Sequence, residues 1–218
     1  MSDFVTAIHF KTEDQGAVID ALVQTLRGDG YEMVPLVLPG EDVVEDPTRS
    51  RLRRFFVSPE IGGWVSVFDE NFVEVFGLPG RLCTATDVPT ILLWRQGRKS
   101  WGYSLRDAGR LLDEFATDPN YLEGACGGRP DVLCEYGTGT VEQFRRLLEE
   151  GKGAPRAAQP IFAKLMGIPN AECDFEDMET GQTSEVQLFE EFVKINFLLR
   201  GTAIGGTPLP EGLTSPGD

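Results

Sequence analysis

The sequence holds one histidine, His9, and four cysteines, Cys83, Cys126, Cys134 and Cys173, among 218 residues. No CxxC pair occurs, and a zinc site needs several Cys or His ligands at short spacing, so no metal or other cofactor is expected. Sparse, irregularly spaced thiols suit a reducing compartment, which makes a cytoplasmic location the expectation. Long apolar runs are missing too. None approaches the roughly 18 residues that cross a bilayer, and Met1–Gln15 has neither a basic start nor a continuous apolar stretch, so neither a membrane span nor a secretory leader is expected. Cations are scarce: 20 Lys+Arg stand against 35 Asp+Glu, a net charge of -15. A nucleic-acid binder neutralises phosphate with clustered Lys and Arg, so that class is set aside. GxSxG and GK[ST] are both absent, which removes the usual hydrolase elbow and the P-loop.

What remains is a globular composition, 41% apolar and 25% charged, with enough chain to bury on the order of 70% of its unfolded surface. Phe4–Lys11 alternates in the manner of a buried strand. Thr12-Glu-Asp-Gln15 has the form of a capping box, Ile19, Leu22, Val23 and Leu26 recur at helical spacing, and Gly28 supplies a stop. Strands are expected over Tyr31–Leu38, where Pro35 demotes the strand to an edge, over Phe55–Val57 and over Trp64–Phe68. Pro39–Ser50 reads as a polar loop.

From Pro89 the pattern predicts a three-stranded meander: Thr90–Arg95, Ser100–Arg106 and Gly109–Phe115. Trp94 and Trp101 flank its first turn, where they are candidates to face one another. Thr140-Val-Glu-Gln143 caps a helix with Val141, Phe144 and Leu148 inside, ending at Gly151. Pro160 starts a short helix up to Gly167. Ser184-Glu-Val-Gln187 opens what reads as the longest helix, running to Arg200. Its apolar arc, including Leu188, Phe192, Ile195 and Leu199, is too broad for one buried face. That breadth places it centrally in the core, or gives it a face for a homodimer. Residues 201–218 are rich in Gly and Pro and read as a flexible tail. The expected class is therefore α+β: a mostly antiparallel sheet with a βαββ start and then the meander, with helices concentrated in the C-terminal half. Residues 1–200 form one domain on this reading, sheet-rich over 1–125 and helical over 126–200.

Charge is unevenly placed. Residues 1–110 carry 12 Lys+Arg and 16 Asp+Glu, a net of -4, and residues 111–218 carry 8 and 19, a net of -11. Glu172–Glu191 has Glu172, Asp174, Glu176, Asp177 and Glu179 in close succession, then Glu185, Glu190 and Glu191, with no Lys or Arg. Such a segment is a solvated face, a docking face for a basic protein partner, or the counterpart of Arg49, Arg51, Arg53 and Arg54 in the same molecule. Those arginines alternatively guard a strand edge.

Catalytic candidates are few. Asp69 and Glu70 end one strand, and Asp113 and Glu114 lie in another. Were those strands neighbours, one member of each pair could share a face and hold a divalent cation or act as an acid–base pair. His9 sits on a strand as an interior residue, or pairs in space with a cysteine. Gly137-Thr-Gly-Thr140 precedes a helix and offers a phosphate cradle or a plain turn with an N-cap.

At Gly63-Trp-Val-Ser-Val-Phe-Asp-Glu70, at Gly109-Arg-Leu-Leu-Asp-Glu-Phe115 with Asp118-Pro-Asn-Tyr121, and at Leu165-Met-Gly-Ile-Pro169, the chain resembles a family of bacterial α+β proteins with no assigned activity. It departs from that family at Val88-Pro-Thr-Ile91, where a His-Asp-Ser stretch would stand. The resemblance covers roughly residues 1–170 and implies an intracellular bacterial α+β protein, with no site residues. Together these features point to a non-catalytic acidic interaction domain, for instance an immunity or inhibitor protein. A divalent-metal-dependent hydrolase is the alternative.

Overall fold

The alternation at Phe4–Phe10 forms a strand, β1, with Ile8 and Phe10 buried on one face and Ala7 on the other. The computed structural model describes residues 4–35, 52–124, 127–181 and 186–200. After β1 come α1 (Gln15–Gly28), β2 (Tyr31–Val34), β3 (Leu52–Val57), β4 (Val65–Asp69) and α2 (Pro79–Thr86). Then follow β5 (Thr90–Gln96), β6 (Ser100–Asp107), β7 (Arg110–Ala116), α3 (Pro130–Tyr136), α4 (Val141–Glu150), α5 (Pro155–Met166), α6 (Phe175–Thr180) and β8 (Val193–Leu199). The strands make one sheet in the order β2-β8-β3-β4-β1-β5-β6-β7. Every pairing is antiparallel.

The α+β class and the antiparallel sheet agree with the sequence reading, and β5-β6-β7 is the meander expected from Pro89 onward. Ala108 and Gly109, with φ of 47° and 74°, make its second reversal, the two-residue primed turn that matches strand twist. The two tryptophans do not face each other. Register sets Trp94 opposite Gly102 and Trp101 opposite Arg95, so the rings lie on opposite faces.

One face of the sheet packs on α1 and α2 through Ile8, Phe10, Leu22, Phe55, Trp94 and Phe197. Against the other face, Trp101, Tyr103 and Leu105 meet α3, α4 and α5, while Ala7, Phe56 and Phe68 meet α6. Helices therefore cover both faces and both halves of the chain. They are not concentrated C-terminally, and the strand order is no simple meander, because β1 is interior and β8 lies between β2 and β3.

The largest correction concerns the described part of the expected longest helix, 186–200. In place of a long helix there is a short 3-10 turn, Phe189–Glu191, and then β8. Ile195, Phe197 and Leu199 face α1, while Lys194, Asn196 and Leu198 alternate on the other side. Val193, Ile195 and Phe197 alternate with Lys194 and Asn196, the period of a strand, and β-branched and aromatic residues favour one. Both edges of β8 are used, by β2 and by β3, so the helix face proposed for a homodimer does not exist.

Smaller differences have local causes. Asp14, not Thr12, caps α1, accepting from Ala17 N at 2.9 Å, and the positive-φ glycine after it is Gly30. Pro155 opens α5, and Pro160 lies inside it. Thr140 and Gln143 form the expected capping box of α4, whose buried residues are Phe144, Leu147 and Leu148, with Val141 exposed. The loop 39–50, Arg49 and Arg51, Cys126, the capping box at Ser184 with Glu185, and the tail 201–218 lie outside the described residues. Among the described residues no helix is long and apolar enough to cross a membrane.

Candidate functional site

β1 pairs with β5 along its whole length, Phe4 to Phe10, but with β4 only over Ile8–Phe10. β4 in turn pairs with β3 over Val67–Asp69. Two adjacent strands thus part company inside the sheet, and a slot opens between Phe4–Ala7 and Phe68–Glu70. A cleft of about 320 Å³ occupies it. Its walls come from both sides of the sheet: Thr6 and Asp69 belong to the alternation facing α1, Arg54 and Glu70 to the one facing α6, which itself brings Phe175. Phe4 and the half-exposed Phe72, with ring centroids 5.3 Å apart, line one end. α6 contributes Glu176, Glu179 and Thr180, and its N-cap Asp174 lines the cleft as well.

The strand ends set the charges. Arg53 and Arg54 point to opposite faces, and so do Asp69 and Glu70 on the neighbouring strand, so the four make two cross-strand pairs. Arg53 binds Asp69 in the interior and reaches Glu74 at 3.0 Å. Arg54 grips Glu70 with two bonds, Nη2 at 2.6 Å and Nε at 2.8 Å, the bidentate geometry that suits guanidinium and carboxylate. Arg54 also donates to Glu179 at 2.9 Å, and Lys194 donates to the other oxygen of Glu179 at 2.6 Å. The acidic segment does therefore meet the arginine run within the molecule, at Arg54.

Burial pushes Asp69 up to about 6, outweighing the Arg53 guanidinium, so it is still ionised at neutral pH. Burial likewise raises Asp174, with the Asp177 and Glu176 charges adding to the effect. Its hydrogen bonds to the Glu70 carboxylate hold Arg54 above its ordinary value. Five carboxylates line the cleft against one lining cation, Arg54. Arg53 also binds Asp69, and Lys194 binds Glu179, so among the described residues the cleft wall itself carries more acid than base.

The four catalytic candidates do not converge. β1, β5 and β6 lie between β4 and β7, so Asp69 and Glu70 stand roughly 19 Å across the sheet from Asp113 and Glu114 at ordinary strand spacing. Asp113 accepts from Tyr103 Oη at 2.7 Å and Arg129 N at 2.9 Å, with burial raising it. Glu114 accepts from Glu123 N at 3.0 Å and Gly124 N at 2.5 Å. Both hold the segment after β7 in place. Among the described residues no group of three or more His, Cys, Asp and Glu could hold a metal ion.

His9 is fully buried. Its Nδ1 lies 2.8 Å from Ser66 Oγ, and Nε2 has no hydrogen-bond partner among the described residues. Burial lowers it to about 3, so the ring is neutral. Cys83 and Cys134 donate to the Val88 and Gly139 carbonyls, and no described cysteine is bonded to His9. The amides of Gly137-Thr-Gly-Thr140 are engaged as well: Thr138 N and Gly139 N donate to Leu165 O, and Thr140 N to Gln143 Oε1. That engagement makes the stretch a turn and a cap.

Of the five partner-facing acids, Glu172 and Glu176 are exposed, Asp174 and Asp177 form the capping box of α6, and Glu179 is pinned by Arg54 and Lys194. Sequence reasoning did not find Phe4, Thr6, Phe72 or Phe175, because the parting of two strands leaves no mark on either strand alone. Comparison with protein-family models, with curated proteins and with solved structures finds no match for this chain.

Proposed function

We propose that this protein is a non-catalytic binding protein that docks a basic protein partner through the acidic face around α6, as an immunity or inhibitor protein would. The observation that carries this reading is the division of labour among the acids. Asp174, Asp177 and Glu179 are spent on capping α6 and tying it to the sheet. Glu172, Glu176, Glu190 and Glu191 are exposed. They rise from segments packed on one cluster, in which Phe175 and Met178 of α6 meet Phe56, with Phe189 and Phe192 alongside. Gln187 N donates to Asn170 Oδ1 at 3.0 Å, which holds the Glu172 turn beside the Glu190 turn. Half-exposed Phe72 lines the same cleft as Glu176, an aromatic anchor beside charge of one sign. The hydrolase alternative lacks comparable support, since its carboxylates are engaged and lie on separated strands.

The test replaces Glu172, Glu176, Glu190 and Glu191 by Lys, leaving the capping box and the Glu179 ties intact. Wild type and variant are used to capture proteins at low and high salt from a lysate of the cells that make the chain. A basic protein held by the wild type at low salt, released at high salt and missed by the folded variant supports the reading. Equal capture by both chains contradicts it.

A further inference from the structure

The slot between β1 and β4 contains a buried polar atom that the fold does not use. Thr6 is 4% exposed, and its Oγ1 finds no hydrogen-bond partner among the described residues. A buried hydroxyl left unpaired destabilises a fold, whereas a methyl group of the same shape would not. A threonine there is accounted for if something else completes its hydrogen bonding, and Thr6 is part of the cleft wall. The rest of the cleft narrows what that is. Among the described residues five carboxylates line its wall against the single lining cation Arg54, so the occupant carries positive charge. The rings of Phe4, Phe72 and Phe175 line the same space, and a flat, weakly hydrated cation stacks on aromatic faces better than a compact ammonium does.

We infer that the slot is a binding site for a guanidinium group, the side chain of an arginine on the basic partner, held by the Thr6 hydroxyl, the carboxylates at the mouth and the phenyl walls. This rests on the docking reading above and names the side chain its partner inserts. The alkyl stem lies along Phe72 and the planar head enters between the parted strands, where its N–H groups donate to Thr6 Oγ1 and to the acids of α6. Arg54 already shows the same chemistry in the neighbouring position, with its guanidinium 5.4 Å from the Phe175 ring centroid and bonded to two carboxylates.

The experiment titrates the full chain with N-acetyl-arginine amide and with its neutral isostere N-acetyl-citrulline amide, followed by amide NMR. The expected result is saturable shifts at Thr6, Asp69–Phe72 and Asp174–Thr180 with the arginine compound, and binding at least about tenfold weaker with citrulline, as loss of a charge-assisted hydrogen bond implies. Thr6→Val should weaken arginine binding by about tenfold while the melting temperature holds or rises, because it removes an unpaired hydroxyl. Phe72→Ala, at an exposed site, should weaken binding without unfolding the chain. Non-saturating shifts, equal binding of citrulline, equal binding of N-acetyl-lysine amide, or a Thr6→Val variant that binds as well as wild type would each overturn the assignment. Should the titration fail while salt-sensitive capture still depends on Glu172, Glu176, Glu190 and Glu191, the slot is excluded and the docking face is not.

Discussion

Arg54 Nη1 and Glu179 Oε1 stand 2.9 Å apart across 125 positions of sequence, and this contact, with Lys194 on the other oxygen, ties α6 to the sheet. Helix α6 has six residues, too few to hold itself in water. Its place depends on that tie, on the Asp174–Asp177 capping box and on Phe175 and Met178 beneath it. Arg54→Ala should therefore speed hydrogen exchange at Phe175–Thr180 by about tenfold, while global stability falls by only about 1 kcal/mol, as befits a partly exposed network. Exchange in β5–β7 should not change. Unaltered exchange in α6 would show that packing alone fixes it.

Phe197 and Leu188 separate a strand from a helix over the segment before Arg200. Phe197 is fully buried and meets Phe55 at 5.7 Å, whereas Leu188 is half exposed. Phe197→Ala should cost about 3–5 kcal/mol by urea unfolding, and Leu188→Ala less than about 0.5 kcal/mol. A helix would set Leu188, Phe192, Ile195 and Leu199 on one face with Phe197 opposite, and Leu188→Ala would then be the costly substitution.

Gly102 accepts no side chain. A Cβ there would stand 2.4 Å from Phe115 O and 2.7 Å from Trp94 Cζ2, against one backbone and one buried ring. Gly102→Ala should cost about 3 kcal/mol or more, read as a lowered urea midpoint. A neutral effect would mean that Trp94 does not lie over the strand.

His9 and Asp69 give opposing pH dependences. The folded state keeps His9 neutral down to about 3, whereas an unperturbed imidazole protonates at 6.5. The unfolded state therefore binds the extra proton, and the His9 contribution, full above 6.5, is lost as pH falls towards 3. Asp69 titrates at about 6 in the fold and at 3.8 when unperturbed. Here the folded state takes the proton first, so its contribution is lost as pH rises through 6 and is fully present below 3.8. Each slope is about 1.4 kcal/mol per pH unit, and the two offset one another between roughly pH 4 and 6. His9→Leu removes the first. It should gain on wild type by about 2–3 kcal/mol between pH 6.5 and about 4.5 in paired urea titrations. Parallel pH profiles would contradict a neutral, buried His9.

Much of the fold is legible along the chain because its signals are local. The meander announces itself through tight turns at Gly97 and Gly109 between apolar runs, and α4 through the four-residue capping box Thr140–Gln143. The segment 193–199 misleads because, although Lys194 and Asn196 alternate with Val193, Ile195 and Phe197, Leu188, Phe192, Ile195 and Leu199 also recur at helical spacing behind the motif at Ser184. α2, α3 and α6 are six to eight residues long, shorter than the span over which a helical period can be counted. Asp69 and Glu70 stand out as charges at a strand end, yet their roles follow from Arg53 and Arg54 on a partner strand, which only register reveals. The slot is less legible still. It arises where pairing of β1 with β4 stops at Ile8 while pairing with β5 goes on to Phe4, a difference between two neighbours of one strand.

The most direct test of the docking account is the association rate of the captured partner with wild type and with the Glu172→Lys, Glu176→Lys, Glu190→Lys, Glu191→Lys variant, at low and at high salt. The account predicts a wild-type rate that falls steeply with added salt and a variant slower by at least about tenfold at low salt, since charge of opposite sign steers encounter. A rate indifferent to both salt and charge reversal would contradict it.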